Sequence, residues 1–284
     1  MKNLSDINVI KSVMGRHGVT FNKGLGQNFL VDPAVCPAMA EAAGLDENTC
    51  AIEIGPGVGV LTAELAKRAG KVLSFEVDNR LLPVLDETLS EFHNVEIINQ
   101  DVMKADLPKI IEEKCKGMEI AVVANLPYYI TSPIIMLLLE SKLPIKSVTV
   151  MVQKEAADRL CAEVGSRDGG AVTVAVSYYA QAEKLFFVPR DSFLPPPKVN
   201  SEVIQLTIRK EPPVKVENEE FFFKLVKAAF SQRRKTAENS ISAGLGINKN
   251  IVAEALEKAG LERTVRAEKL TIEDFANLEK LLNN

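Results

Sequence analysis

The 284 residues are 46% hydrophobic and 25% charged, and 34 basic against 38 acidic side chains leave a net charge of −4. This fits a globular protein with one large domain and room for a smaller one, and it argues against a protein that coats nucleic acid through bulk positive charge. The longest apolar run, Ile134 to Leu139, is far short of the ~20 residues of a membrane span, and no signal-peptide core opens the sequence, so a cytoplasmic chain is expected.

In chain order, Asp32 followed by Pro33 starts a helix that Gly44 stops. Cys50 to Ile54 reads as a buried strand, Val60 to Ala69 as a helix closed by Gly70, and Lys71 to Glu76 as the next strand. Further strands are predicted at Val95 to Asn99, Ile120 to Ala124 and Ser147 to Val152. Helices are predicted around Arg80 to Glu91, Ser132 to Ser141 and Lys154 to Glu163. Strands separated by single helices imply βαβ units and hence a parallel sheet with helices on both faces.

The rhythm then breaks. Ala171 to Ala180, Ala182 to Val188 and Val203 to Arg209 are strand-like runs with no helix between them, so an antiparallel edge is expected to close the sheet. Glu211-Pro212-Pro213 reads as a linker. Beyond it the patterns are helical: Glu219 to Phe230, Thr236 to Gly244, Lys249 to Ala259, and a helix from Thr271, which forms a capping box with Asp274. The expected domains are 1–210, an α/β sheet domain, and 211–284, a small helical one.

The four cysteines, Cys36, Cys50, Cys115 and Cys161, lie far apart in apolar stretches with no Cys-x-x-Cys pair. Buried reduced thiols are expected rather than disulfides or zinc ligands. The two histidines, His17 and His93, stand alone, and no metal site is expected. Basic residues gather before Asn28 (Lys2, Lys11, Arg16 and Lys23 against the one acid Asp6) and again at Lys224, Lys227, Arg233, Arg234 and Lys235. On charge alone these stretches read equally as solvated surface or as phosphate contacts.

Glu53-Ile54-Gly55-Pro56-Gly57-Val58-Gly59 follows a predicted strand and opens a predicted helix, where glycines let a ligand approach the backbone and the helix N-terminus. A dinucleotide fingerprint would place its third small residue where Val60 stands, so the nicotinamide pattern is not met. A purely structural tight turn remains the alternative for the loop alone. Glu76 ends the second strand about 20 residues further on, where a carboxylate can accept both ribose hydroxyls. Asp101 follows the third strand and can accept from an adenine amino group, or serve as a turn aspartate. Together these point to an adenosine-bearing cofactor across the carboxyl ends of the strands.

Asn125-Leu126-Pro127-Tyr128 follows the fourth strand at the same edge. An exocyclic adenine amine is a poor nucleophile because its lone pair is delocalised into the ring. A side-chain amide oxygen and a proline-fixed backbone carbonyl can accept its two N–H groups and aim the lone pair at a methyl carbon, while Tyr128 stacks on an extruded base. Phe193 to Ser201, with Pro195-Pro196-Pro197 inside it, is a stiff extended segment. Phe193 reads either as the second face of a base sandwich or as an apolar anchor for a proline-rich connector.

With these residues the sequence resembles the ribosomal RNA adenine N6-dimethyltransferase family, and within it the branch that modifies small-subunit RNA. The likeness covers nearly the whole chain and rests on Lys23 to Leu30, Glu53 to Thr62, Glu76 to Asp78, Asp101, Asn125 to Tyr128, Val152 to Glu155, Phe193 to Ser201 and Phe230 to Lys235. It implies a Rossmann-like class I methyltransferase sheet with a helical C-terminal RNA-binding domain, and S-adenosylmethionine as cofactor. It matches Asn28, Leu30, Gly55, Glu76, Asp101 and Asn125 to cofactor contacts, with Gly57 in the same loop; the basic clusters supply Lys23, Arg233, Arg234 and Lys235 as the expected RNA contacts.

The expected reaction is transfer of methyl groups to N6 of two adjacent adenosines in a hairpin loop near the 3′ end of 16S rRNA within an assembling small subunit, by a monomer without a metal. Related enzymes acting on large-subunit RNA tend to read Asn-Ile-Pro-Tyr, so Leu126 favours the small-subunit branch. Two other functions stay open. A nicotinamide-dependent oxidoreductase would also use Gly55 to Gly59 and Glu76, although Val60 and the lack of an acid–base histidine in the crevice oppose it. An assembly factor that has lost catalysis is opposed by the intact Asn125 to Tyr128 motif.

Overall fold

The computed structural model describes residues 4, 6–20 and 28–283. They form two compact units, one of Met1–Ala157 with Glu183–Ile208 and one of Asp158–Ala182 with Arg209–Asn284.

The first unit opens with α1 (Ile7–Arg16), a two-residue strand β1 (Phe29–Leu30) and α2 (Val35–Ala42). Asp32 Oδ1 accepts the Ala34 N–H at 3.0 Å just ahead of α2. The alternation of strand and helix follows as β2 (Thr49–Ile54), α3 (Val60–Ala66), β3 (Lys71–Phe75), α4 (Leu82–Thr88), β4 (Val95–Ile98), α5 (Leu107–Lys114), β5 (Glu119–Asn125), α6 (Thr131–Glu140) and β6 (Ile145–Gln153). All six residues of β2 are buried, as a strand covered on both faces requires. The predicted helix Arg80 to Glu91 begins instead as a 3-10 turn, Asn79–Leu81, before α4.

The sheet order is β4-β3-β2-β5-β6-β9-β7, where β7 is Ala180–Val188 and β9 is Ser201–Ile208. β2 to β6 run parallel and β9 pairs antiparallel with β6, so the sheet is mostly parallel with an antiparallel edge. The chain starts in the middle, steps outward through β3 and β4, and returns to β5 on the other side of β2. That reversal opens a crevice beyond the carboxyl ends of β2 and β5, where open α/β sheets bind ligands. A separate two-stranded ladder joins β1 to β8 (Phe193–Leu194), with Phe29 opposite Leu194 and Leu30 opposite Phe193.

Two expectations are corrected here. Cys50 and Cys115 are paired in a disulfide, with Cα atoms 6.0 Å apart, because Cys50 lies on β2 beside β5 and Cys115 ends the helix that leads into β5. Cys36 is a buried thiol, pushed well above its usual pKa by burial and by the nearby Glu53, Glu64 and Asp32 carboxylates. The second correction is Ala171 to Ala180, which is not a strand. Ala171–Tyr179 is a helix, α8, which follows α7 (Lys154–Leu160). Its valines, threonine and tyrosines favour a strand by propensity, but tertiary packing decides. Tyr178 and Tyr179 pack on Phe222 and Phe223, and the Gly170 N–H at its start is taken by Thr173 Oγ1 at 2.9 Å.

The second unit completes itself with α9 (Glu219–Phe230), α10 (Ala237–Leu245), α11 (Lys249–Lys258) and α12 (Ile272–Leu282). The aromatic packing of α8 on α9 is why Asp158–Ala182 groups with these helices rather than with the sheet, although the sequence-based boundary at residue 210 leaves it there. Thr271 and Asp274 form the reciprocal capping box at the start of α12. Glu279, buried on α12, accepts the Glu217 and Asn218 N–H groups at 3.1 and 3.0 Å and so fixes the chain entering α9. Among the described residues no helix is long and apolar enough to cross a membrane.

Candidate active site

The glycine loop is built by backbone geometry that only glycine adopts without strain. Gly55 has φ +75° and Gly57 +60°, both in the left-handed region. The Gly55 N–H donates to Phe75 O at 2.9 Å, which ties the loop to the end of β3. A Cβ on Gly55 would meet no atom of the chain within 4 Å, so space is kept beside the loop. α3 begins directly after it with Gly59 as its cap, and the first N–H groups of a helix are available to an anion or a polar ligand edge.

Three acids converge on this loop. Glu76 follows β3 and is buried, and its Oε1 accepts the Asp78 N–H at 2.7 Å. Burial raises its pKa above the usual carboxylate range, and the Asp78 charge adds to this, while backbone N–H groups of Asp78, Val77 and Gly57 oppose it. Asp101 Oδ1 accepts the Met103 N–H at 3.0 Å, so one of its oxygens caps the 3-10 turn Val102–Lys104 while the residue lines the cavity. Glu53, 1% exposed, accepts the Thr62 and Ser74 hydroxyls at 2.7 and 2.6 Å on the same oxygen.

Asn125 ends β5 opposite Met151 of β6. Leu126 is buried and its N–H donates to Met151 O at 3.2 Å, which extends the sheet register one residue into the motif. The Pro127 carbonyl accepts the Ile130 N–H at 3.1 Å and the Thr131 hydroxyl at 3.2 Å, which turns the chain into α6. Tyr128 is half-buried, with Oη 2.6 Å from Ser201 Oγ.

One cavity brings these groups together. Asn28, Leu30, Gly55, Gly57, Glu76, Asp101, Asn125, Leu126, Pro127, Tyr128 and Phe193 all line it. Phe193 is only 2% exposed and belongs to an apolar cluster with Leu30, Cys36 and Leu61, which is the surrounding an anchor requires. Sequence reasoning missed Phe29, Cys36, Val77 and Tyr129, which line the same cavity. Val77 and Tyr129 are 59% and 65% exposed, large apolar groups next to motif residues, and that adjacency is the signal that would have found them. Arg233, Arg234 and Lys235 are exposed between α9 and α10, and Lys23 lies outside the described residues.

A family model described as ribosomal RNA adenine dimethylase matches residues 18–284. The chain belongs to that family. Curated relatives include the ribosomal RNA small subunit methyltransferase A of Oceanobacillus iheyensis, 48% identical over 94% of this chain and 92% of that protein. The protein of the same description from Geobacillus thermodenitrificans is 50% identical over 96% of this chain and 94% of that one. Among solved structures, a dimethyladenosine transferase from Plasmodium falciparum superposes with a TM-score of 0.75 at 26% identity, covering 89% of this chain and 96% of that one. The 23S rRNA methyltransferase ErmE superposes with a TM-score of 0.68 at 31% identity, covering 90% and 100%.

As an adenine dimethylase the protein is a methyltransferase that uses S-adenosylmethionine. The donor set fits that cofactor: a loop with left-handed glycines and open space beside it, a buried carboxylate at the end of β3, and a second at the turn after β4.

Proposed function

We propose that this dimethylase modifies two adjacent adenosines in a hairpin loop near the 3′ end of 16S rRNA, within an assembling small subunit, as a cytoplasmic monomer that needs no metal. The relatives at 48–50% identity, described as small-subunit enzymes, support that branch over the large-subunit one, represented by ErmE at 31%. Leu126 supports it too. The observation that carries the chemistry is the convergence of the glycine loop, Glu76, Asp101 and Asn125 to Tyr128 on one cavity at the carboxyl edge of the sheet.

Gly55, Gly57, Glu76 and Asp101 bind the cofactor together with Asn28 and Leu30, and Glu76 takes the ribose hydroxyls. When bound, S-adenosylmethionine supplies an electrophilic methyl carbon. The chain's own task is to make the adenine amine nucleophilic. Asn125 Oδ1 accepts one N–H. Because the Pro127 carbonyl is committed to Ile130 and Thr131, the second acceptor is the Leu126 carbonyl. With both N–H groups held, the nitrogen pyramidalises and its lone pair leaves the ring. With the cofactor held by Glu76, Asp101 and the glycine loop, this lone pair would be aimed at its methyl carbon, the thioether would be the leaving group, and the proton shed by the nitrogen would pass to solvent. A second cycle, in which the monomethylated nitrogen offers its one remaining N–H to one of these acceptors, would give N6,N6-dimethyladenosine.

Tyr128 stacks on the extruded base, and Phe193 anchors the cavity wall beside it. The helical unit grips the RNA, with Arg233, Arg234 and Lys235 on phosphates and Lys23 assisting from the N-terminal stretch. Incubation with labelled S-adenosylmethionine and unmethylated small subunits, followed by nucleoside analysis, is expected to yield N6,N6-dimethyladenosine at two adjacent positions. Unlabelled small subunits beside labelled large subunits in a parallel incubation would overturn the small-subunit reading.

A further inference from the structure

Tyr128 Oη and Ser201 Oγ lie 2.6 Å apart although 73 residues separate them in sequence. Ser201 is the first residue of β9, pairs with Gln153 at the end of β6, and is fully buried. Its neighbour is held from two sides. The Asn200 carbonyl accepts the Lys154 N–H at 3.0 Å, and the Asn200 side-chain oxygen accepts the Arg190 N–H at 3.0 Å. The hydroxyl that meets Tyr128 is therefore set by the sheet and not by a mobile surface loop.

The geometry points to Ser201 as a positioning residue for capture of the target base, acting through Tyr128. Oη lies on the long axis of the phenol ring, so a hydrogen bond there fixes where the ring points while still allowing flips about Cβ–Cγ. A stacking face must be aimed before the base arrives, because a ring free to change χ1 rotamer would have to be ordered during binding. Ser201 does this aiming from the end of the proline-rich segment that begins at Phe193, so that segment supplies an apolar wall at one end and the anchor of the opposing ring at the other. Tyr128 is neutral, since burial pushes its phenol above the usual range while the Ser201 bond opposes the rise. The contact is one between two neutral hydroxyls.

This inference rests on the stacking role given to Tyr128 above, and the experiment separates the two. Four full-length variants are compared in single-turnover methylation of unmethylated small subunits at saturating cofactor: Ser201→Ala, Tyr128→Phe, their double, and Tyr128→Ala. Cofactor affinity and melting temperature are measured alongside. Ser201→Ala and Tyr128→Phe are each expected to slow methylation about tenfold, the scale of one hydrogen bond, with cofactor affinity within about twofold of the parent. The double is expected to be no slower than either single, because each substitution removes the same contact.

A structural role for Ser201 would instead lower its melting temperature without being reproduced by Tyr128→Phe, and that outcome overturns the inference. So does a double variant whose losses multiply. Parental rates in Ser201→Ala and Tyr128→Phe beside an impaired Tyr128→Ala would overturn the role of Ser201 and leave the stacking role standing. A parental rate in Tyr128→Ala would overturn both. If Ser201→Ala fails to fold, Tyr128→Phe decides alone: a tenfold loss supports the inference and a parental rate overturns it.

Discussion

Ser74 stands directly opposite Glu53 in the parallel β2–β3 ladder and donates its hydroxyl to Glu53 Oε2 over 2.6 Å. Burial lifts the Glu53 pKa to about 7, the Glu76 charge adds to the rise, and the Ser74 and Thr62 hydroxyls act against it.

A carboxyl whose folded pKa is raised binds more protons folded than unfolded, so it favours the fold at low pH and loses that contribution as pH rises from its ordinary value of 4.5 to about 7. Glu53→Gln removes the titration. Relative to this variant, the parent is expected to lose on the order of 3 kcal/mol of stability across that window. Urea unfolding at pH 5 and pH 8 measures it, and parallel profiles for the two proteins would contradict the buried, proton-holding state.

On the proposal that Glu76 takes the ribose hydroxyls, Glu76→Ala is expected to weaken S-adenosylmethionine binding by roughly 1.5–3 kcal/mol. Calorimetry gives the number directly. An unchanged affinity would confine Glu76 to its backbone contacts with Asp78.

Asn125→Ala tests whether the amine is oriented. The bond it removes matters as the nitrogen becomes a nucleophile, so turnover at saturating cofactor is expected to fall by at least ~10²–10³ while RNA affinity is largely kept. A near-parental single-turnover rate would overturn the amine-orienting role and leave Asn125 as the residue that ends β5.

Neutralising Arg233, Arg234 and Lys235 together is expected to weaken RNA binding and to flatten its log–log salt dependence by about two to three units, since each phosphate contact contributes just under one. Cofactor affinity stays unchanged. A parental slope would move the footprint elsewhere, with the lysines before Asn28 the first to examine.

Helices α9 and α10 meet where Gly244 faces Ala228, and a Cβ at 244 would come within 2.6 Å of the Ala228 Cβ. Gly244→Ala is expected to destabilise the helical unit by about 1–3 kcal/mol through overpacking. Ala228→Gly in the same chain should recover part of the loss, and thermal unfolding of the three variants checks both statements.

The crevice was legible because parallel strands put their carboxyl ends on one edge: once β2, β3 and β5 are recognised, Gly55, Glu76 and Asn125 must lie together. Tyr128 and Ser201 were not, since their contact depends on the β6–β9 register, which no local pattern states. The Cys50–Cys115 pair needs the same knowledge, namely that β2 neighbours β5. Ala171–Tyr179 misled for a different reason. Buried residues on most sides of a short helix erase the 3.6-residue period, and β-branched composition then speaks for a strand.

The rung that pairs Leu30 with Phe193 bears on how this enzyme can be re-engineered. A substitution at 193 that shifts its strand is expected to shift the paired strand beside Asn28, and a change at Leu30 to act back the same way. On the proposed roles of Leu30 and Phe193, donor and acceptor preference are expected to change together. Libraries that vary positions 29, 30, 193 and 194 together will reach combinations that sequential single-site selection discards.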